Sequence, residues 1–227
     1  MSYSIFTICT ENYRDAWDVV RASWLRTSAD KVIIYTDSKD WQERDSRIEI
    51  VPLFGKSDSW LTNVGHKVQA TNDVLERVGG NLVFVDIDCW LSYDPVETFS
   101  LDFDLAVTRL NDLKTAVSTG IYFIRDNEFM RKFCREWLVL QECILERNPQ
   151  LRERTCSHSQ AAFSGLCRKY KEDRKILDLP VEVYNRKVKR SVLEDVLGEK
   201  DRIKVFHFYN LAFRDKICVD AIMGSKK

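Results

Sequence analysis

The stretch Asn81-Leu82-Val83-Phe84-Val85-Asp86-Ile87-Asp88-Cys89-Trp90-Leu91 decides how this chain is read. Four apolar residues run into two carboxylates at i and i+2. That places Asp86 and Asp88 at the carboxyl end of a strand expected in the middle of a sheet, where open α/β sheets bind their ligands. Two aspartates so close repel each other, and partial desolvation adds to the cost unless a cation lies beside them. Hard oxygen ligands favour Mg²⁺ or Mn²⁺, with water and substrate phosphates filling the remaining positions, so the pair points to a phosphorylated ligand. The alternative is that both aspartates only close a strand in a polar turn.

Outward from this string, short apolar runs alternate with amphipathic stretches, the pattern of β-α-β units around a largely parallel sheet. Strands are expected at Ile5 to Cys9, Val32 to Tyr35, Ile48 to Leu53 and Asn81 to Val85. Between the first two, Ala16, Trp17, Val20 and Trp24 share a helical face, and Asp15 complements the helix dipole. A second helix follows from Val64, Val68, Thr71, Leu75 and Val78, stopped by Gly79-Gly80. Further on, Leu105 to Arg109 and Gly120 to Ile124 read as strands around a polar loop holding Asn111, Asp112 and Lys114. Phe129, Phe133, Trp137, Leu140 and Ile144 mark a long helix that Asn148-Pro149 ends. A polar segment from Gln150 to His158 leads to a helix at Ser159 to Tyr170, then to apolar pieces at Ile176 to Leu179 and Ile203 to Phe208. Asn185 to Lys200 carries no clear pattern.

The 227 residues, 44% of them hydrophobic, suffice for one sizeable core, and no linker or repeat divides them. One domain is expected, with a functional division near residue 90. Lys and Arg total 35 against 35 Asp and Glu, which leaves no basic excess for nucleic acid or an anionic membrane. The basic run Arg186 to Arg190 reads as a solvated surface turn. The chain opens on a strand, without the three regions of a signal peptide, and no apolar run reaches membrane-spanning length, so a cytoplasmic location is expected. The seven cysteines, at 9, 89, 134, 143, 156, 167 and 218, form no C-x-x-C pair and read as reduced thiols. His66, His158 and His207 do not fall at paired ligand spacings with them, which argues against a zinc site.

In this context the sequence resembles the GT-A superfamily of nucleotide-diphospho-sugar glycosyltransferases, whose metal-binding D-x-D follows a hydrophobic strand. Ile5-Phe-Thr-Ile-Cys-Thr10-Glu-Asn-Tyr13 resembles that family's first strand and nucleoside-binding loop. Ser23-Trp24 falls in the following helix and Tyr35-Thr-Asp37 ends strand two. Lys67 matches a basic residue that many relatives carry before the D-x-D strand, and Asp94-Pro95 follows the motif. Ser118-Thr-Gly120-Ile-Tyr-Phe-Ile-Arg125 with Phe133 and Trp137 resembles a later strand and helix, and Ser159-Gln160 a downstream D-Q pair. The likeness touches most of residues 4 to 165.

The resemblance implies a GT-A fold, a Rossmann-like mixed sheet flanked by helices, and a metal-dependent glycosyltransferase. Its donor would be a nucleotide-diphosphate sugar, UDP-linked ahead of GDP-linked, and its acceptor a glycan or another hydroxyl. It further implies a donor-binding half up to about residue 90 and an acceptor-facing half after it. Mn²⁺ or Mg²⁺ would be held by Asp88 directly, with Asp86 reaching the metal through water or holding the ribose. Thr10, Asn12 and Tyr13 would line the nucleoside pocket, and Asp37 would accept from base or ribose. His207 stands where some retaining relatives supply a third metal ligand, although the Gly and Lys-Pro-Trp that follow it in them are absent here. Arg214 and Lys216 are then candidate diphosphate partners.

Gln160 would face the sugar, but Ser159 replaces the Asp of the D-Q type, and an inverting mechanism would need a carboxylate base, for which Asp112 is one candidate. Several of these residues have plain structural readings as well. Tyr13 can pack the helix, Asp37 can open a turn, Lys67 can be solvated, Gly120 can serve close strand packing, and His207 can be a buried structural histidine. Two rival functions remain: a haloacid-dehalogenase-type phosphatase using the D-x-D, and a non-catalytic nucleotide-sugar-binding module. Neither a P-loop, a G-x-G-x-x-G nor a G-x-S-x-G is present.

Overall fold

The computed structural model describes residues 1–53, 60–109, 116–148, 157–172 and 175–224, with 60–65, 157 and 209–211 described in backbone only. The predicted strands form one seven-stranded sheet from β1 (Ser4–Ile8), β2 (Lys31–Thr36), β3 (Ile48–Pro52), β4 (Asn81–Val85), β6 (Leu105–Arg109), β7 (Val117–Arg125) and β8 (Ile176–Leu179). Their order is β3-β2-β1-β4-β7-β6-β8. β7 runs antiparallel to both β4 and β6, whereas the other pairs are parallel. The sheet is thus largely parallel and mixed, as expected, with β7 as its antiparallel strand. A strand buried on both faces reads as a continuous apolar run in either direction, so its orientation is invisible to patterning.

Alternate residues of the central strands divide between two cores, as the two-residue repeat requires. Ile5, Val32, Ile34, Val83, Val85, Ile121 and Phe123 face α1 (Arg14–Leu25), whose Ala16, Trp17, Val20 and Trp24 are buried among them. Phe6, Ile33, Leu82, Phe84, Tyr122 and Ile124 face the other side. That side is covered by α2 (Trp60–Arg77), α3 (Glu128–Arg147) and α4 (Ser157–Lys169). Phe129, Phe133 and Trp137, the stripe read from the sequence, are buried on α3.

A second sheet went unread in the sequence. β5 (Cys89–Leu91), β9 (Arg186–Val188) and β10 (Val205–Phe208) form it in the order β5-β10-β9. The basic stretch expected to be a surface turn thus contains a strand, with Val188 buried and Arg186 paired to Glu199 at 3.5 Å. α5 (Val181–Tyr184), α6 (Leu193–Gly198) and α7 (Lys216–Met223) complete the C-terminal part. Among the described residues no helix is long and apolar enough to cross a membrane, and the six described cysteines are free. Cys156 lies outside the described residues.

Asp94, which follows the motif, fastens the second sheet to the first. It accepts from the Tyr3 hydroxyl at 2.7 Å, the Ser28 amide at 2.8 Å and the Val96 amide at 3.0 Å, capping a 3-10 turn at Pro95–Ser100. Burial pushes its carboxyl up, but those three donors outweigh it and hold it below the usual value. A depressed folded value means that its stabilisation is present above the ordinary carboxyl range and is lost as pH falls through the folded value. Asp94→Ala is expected to cost about 1 kcal/mol at neutral pH, a difference that shrinks in acid. Urea unfolding at both pH values checks it.

Candidate functional site

The strand order reverses between β1 and β4. β2 and β3 lie to one side of β1, and the chain crosses to the other side for β4, which opens a crevice at the carboxyl ends of these two parallel strands. Asp86 leaves β4 at that crevice, its amide donating to Gly120 O at 2.8 Å. A tight turn follows, closed by the Cys89 amide on Asp86 O at 3.0 Å, and the chain enters β5. The resemblance-marked pair on α1 secures this turn: Trp24 Nε1 donates to Cys89 O at 2.8 Å, and Ser23 Oγ accepts from the Leu91 amide at 3.1 Å. The Phe208 amide also donates to Asp88 O at 2.9 Å. The motif therefore sits at the joint of the two sheets.

Lys67 is not solvated. Its side chain is 8% exposed, and its Nζ meets Asp86 Oδ1 at 2.6 Å, with Asp86 itself 25% exposed. The same ammonium donates to Thr119 O at 3.0 Å and lies 4.9 Å from the centre of the Phe84 ring. Burial pushes the Asp86 carboxyl up and Asp88 adds to this, while Lys67 pulls it back without cancelling the rise. Asp86 is thus partly desolvated beside a second carboxylate, with Lys67 as its ion-pair partner.

β10 brings His207 across from Cys89 in the antiparallel ladder. Its Nε2 stands 3.2 Å from Asp88 Oδ1, and its Nδ1 2.9 Å from Asn185 Oδ1. Burial alone lowers the imidazole pKa, but the Asp88 and Asp86 carboxylates outweigh it and the net shift is upward. Asp88, His207 and Cys89 each present a ligand atom within 4.8 Å of the others. The Cys89 thiol is fully buried, and burial together with the two carboxylates holds it well above its ordinary value. Hard Mg²⁺ or Mn²⁺ takes oxygen and nitrogen donors ahead of sulfur, so for such an ion Asp88 and His207 are the candidate donors of the three. Their 3.2 Å separation is close to the ~3 Å edge of an octahedron with metal–ligand bonds of about 2.1 Å. A carboxylate oxygen beside an imidazole nitrogen suits Mn²⁺, so the residues present fit a divalent cation.

On the β1 side, Thr10 is buried and accepts from the Tyr13 amide at 2.8 Å, shaping a short 3-10 turn at Glu11–Tyr13. Asp37 Oδ1 accepts from the Glu11 amide at 2.9 Å, so one of its oxygens holds this loop. The half-buried Tyr13 ring lies 6.0 Å from Phe213. Burial and then Asp88 push its hydroxyl up. Asn12 is exposed, and its carbonyl accepts from Arg214 at 2.9 Å. Arg214 is itself paired to Asp15 at 2.6 Å, and Lys216 is exposed at the start of α7.

The structure thus gathers Lys67, Asp86, Asp88 and His207. Gln160 is half-buried on α4, the helix tied to β7 by Ser164 Oγ accepting from the Val117 amide at 2.9 Å, and makes no described hydrogen bond to that group. Ser159 is buried, its carbonyl accepting from Trp137 Nε1 at 2.9 Å. Asp112, with Asn111 and Lys114, lies outside the described residues. Asn185, Ser118 and Thr108 were not singled out individually from the sequence. The first stands in the segment without a pattern, and hydroxyls on buried strands carry no periodic signal.

No family model matches the chain, and no curated protein matches it in sequence. Solved structures do. The glycosyltransferase GlyE of Streptococcus pneumoniae TIGR4 superposes with a TM-score of 0.60 at 12% identity, over 92% of this chain and 54% of that one. The bifunctional glycosyltransferase WbbM gives 0.54 at 11%, over 92% and 46%. The galactosyltransferase LgtC, solved with donor and acceptor sugar analogues, gives 0.58 at 11%, over 92% and 88%. This chain spans about half the length of GlyE and of WbbM. At such identities the likeness speaks for architecture alone, and the chain has the mixed-sheet GT-A fold of these glycosyltransferases.

Proposed function

We propose that this chain is a metal-dependent glycosyltransferase that takes a sugar from a nucleoside-diphosphate donor, UDP-linked ahead of GDP-linked, and passes it to a hydroxyl of a glycan or other acceptor. The observation that carries the reading is the placement of Asp88 and His207, 3.2 Å apart, at the crevice where the strand order reverses. Those two residues would hold Mn²⁺ or Mg²⁺, which supplies charge neutralisation for the departing diphosphate. Asp86 bridges this centre to Lys67, whose ammonium adds a second positive charge beside it. Thr10, Asn12, Tyr13 and Asp37 form the loops that would receive the nucleoside. The donor side would extend to about residue 90 and the acceptor-facing side would follow it, with Gln160 toward the sugar.

In an inverting transfer a carboxylate takes the acceptor proton, a role open to Asp112. Gln160, a neutral amide, positions but takes no proton. The motif follows β4 rather than the first strand, which favours this reading over a dehalogenase-type phosphatase. Calorimetry with UDP-, GDP- and TDP-sugars, each with and without Mn²⁺, tests the proposal. One donor is expected to bind only with the metal and to be turned over to free nucleoside diphosphate. Binding without turnover for any acceptor would favour the non-catalytic module, and no binding under either condition would overturn the proposal.

A further inference from the structure

We propose that Gly120 is a positioning residue: the space left by its missing side chain lets His207 approach Asp88, so that two metal donors from different elements stand at binding distance. This deepens the metal-site reading above and rests on it. Three consecutive residues of β7 reach the parts of the site. Ser118 Oγ accepts from Asn185 Nδ2 at 2.7 Å, Thr119 O from Lys67 Nζ at 3.0 Å, and Gly120 O from the Asp86 amide at 2.8 Å. The pairing of β6 with β7 shifts register here, passing from Val107–Tyr122 to Thr108–Ser118, so the ladder skips Thr119 to Ile121. Irregularities of this kind bend a strand and re-aim its groups beside active sites.

Gly120 is needed there for room rather than for conformation. The glycines with positive φ are Gly79, Gly80 and Gly224, so the backbone at Gly120 is one that alanine can adopt. A Cβ on Gly120, however, would lie 3.2 Å from Asn185 Nδ2 and from His207 Cε1 and Nδ1, inside the 3.4–4 Å of ordinary van der Waals contact. Those neighbours are themselves held. Asn185 is 2% exposed, its Nδ2 bonded to Ser118 and, at 3.3 Å, to Thr108 Oγ1, and its Oδ1 lies 2.9 Å from His207 Nδ1. The far nitrogen of the rigid imidazole stands 3.2 Å from Asp88. A methyl group at position 120 therefore displaces the amide and the ring by a few tenths of an ångström, more than the tolerance of about 0.2 Å on a metal–ligand distance. The strand cannot withdraw instead, because Gly120 O holds the Asp86 amide of the motif.

The test combines two measurements on the full chain. Mn²⁺ affinity by electron paramagnetic resonance is expected to fall about tenfold or more in Gly120→Ala, as for other changes to groups that orient a ligand. Gly165→Ala on α4, whose Cβ would meet Leu140 Cδ2 at an ordinary 3.8 Å, is the control and should stay within about twofold of wild type. An affinity in Gly120→Ala within about twofold of wild type overturns the proposal, as does an equal loss in Gly165→Ala. Should Gly120→Ala alone not fold, the methyl is added to Asn185→Ser, which shortens one crowded neighbour. A loss relative to Asn185→Ser is then expected, and an unchanged affinity on that background overturns the proposal. Crystal structures of metal-free wild type and Gly120→Ala keep the two readings apart. A wild type that binds no Mn²⁺ removes the metal reading, and the Nε2–Oδ1 separation then decides the positioning claim: a change of a few tenths of an ångström in Gly120→Ala supports it, and an unchanged separation overturns it.

Discussion

Asp88→Ala is expected to abolish metal-dependent donor binding while leaving the fold in place. The side chain meets His207 at 3.2 Å, and removing it takes away one of two donor residues. The loss should exceed the 10- to 100-fold typical of outer partners, so an affinity drop of about 100-fold or more is expected by calorimetry with Mn²⁺. The backbone role of the same residue survives, because Asp88 O still accepts the Phe208 amide that continues the β5–β10 ladder. Removing a carboxylate that pushes Asp86 up also relieves repulsion. The melting temperature without metal should therefore stay within a few degrees of wild type. A large fall in melting temperature together with lost binding would instead mean that Asp88 only terminates the strand.

Lys67→Met should be the most destabilising single change at the site. It removes the cation at 2.6 Å from Asp86 and the hydrogen bond to Thr119 O, leaving a largely buried carboxylate beside Asp88. Breaking a buried pair from one side typically costs about 3–5 kcal/mol. Because Asp86 remains 25% exposed, solvent lowers the expectation to about 2–4 kcal/mol. Urea unfolding with an unchanged slope is the check. Two companion results distinguish this cause from a simple packing loss. Lys67→Met with Asp86→Asn should recover most of the stability, since neither charge is then stranded. Mn²⁺ should raise the melting temperature more in Lys67→Met than in wild type, because the metal replaces the missing positive charge. A Lys67→Met protein within about 0.5 kcal/mol of wild type would show that the pair contributes nothing.

The parts of the fold legible in the sequence are those with long periodic windows. Ile5, Val32, Ile48 and Leu82 each open or sit in an apolar run bounded by polar or turn residues, and the Phe129-Phe133-Trp137 stripe spans several turns of helix. Leu105 to Arg109 and Ile176 to Leu179 match β6 and β8 residue for residue. The second sheet escaped because β5 and β9 have three residues each and α5 four, too few for any period to show. The Lys67–Asp86 pair joins residues on separate elements that only the fold brings together. The tight approach at Gly120 and the Asn185 amide behind His207 are of the same kind, since a glycine in a strand announces a close neighbour without naming it.

The central claim is that Asp88 and His207 hold a metal to which the donor's diphosphate is bound. Pulsed electron paramagnetic resonance of the protein with Mn²⁺ and UDP tests it most directly. The account predicts ³¹P coupling from the diphosphate and ¹⁴N coupling from one imidazole in the same complex, with the ¹⁴N signal lost in His207→Gln. A ³¹P coupling without ¹⁴N, or a ¹⁴N coupling that survives His207→Gln, would contradict it.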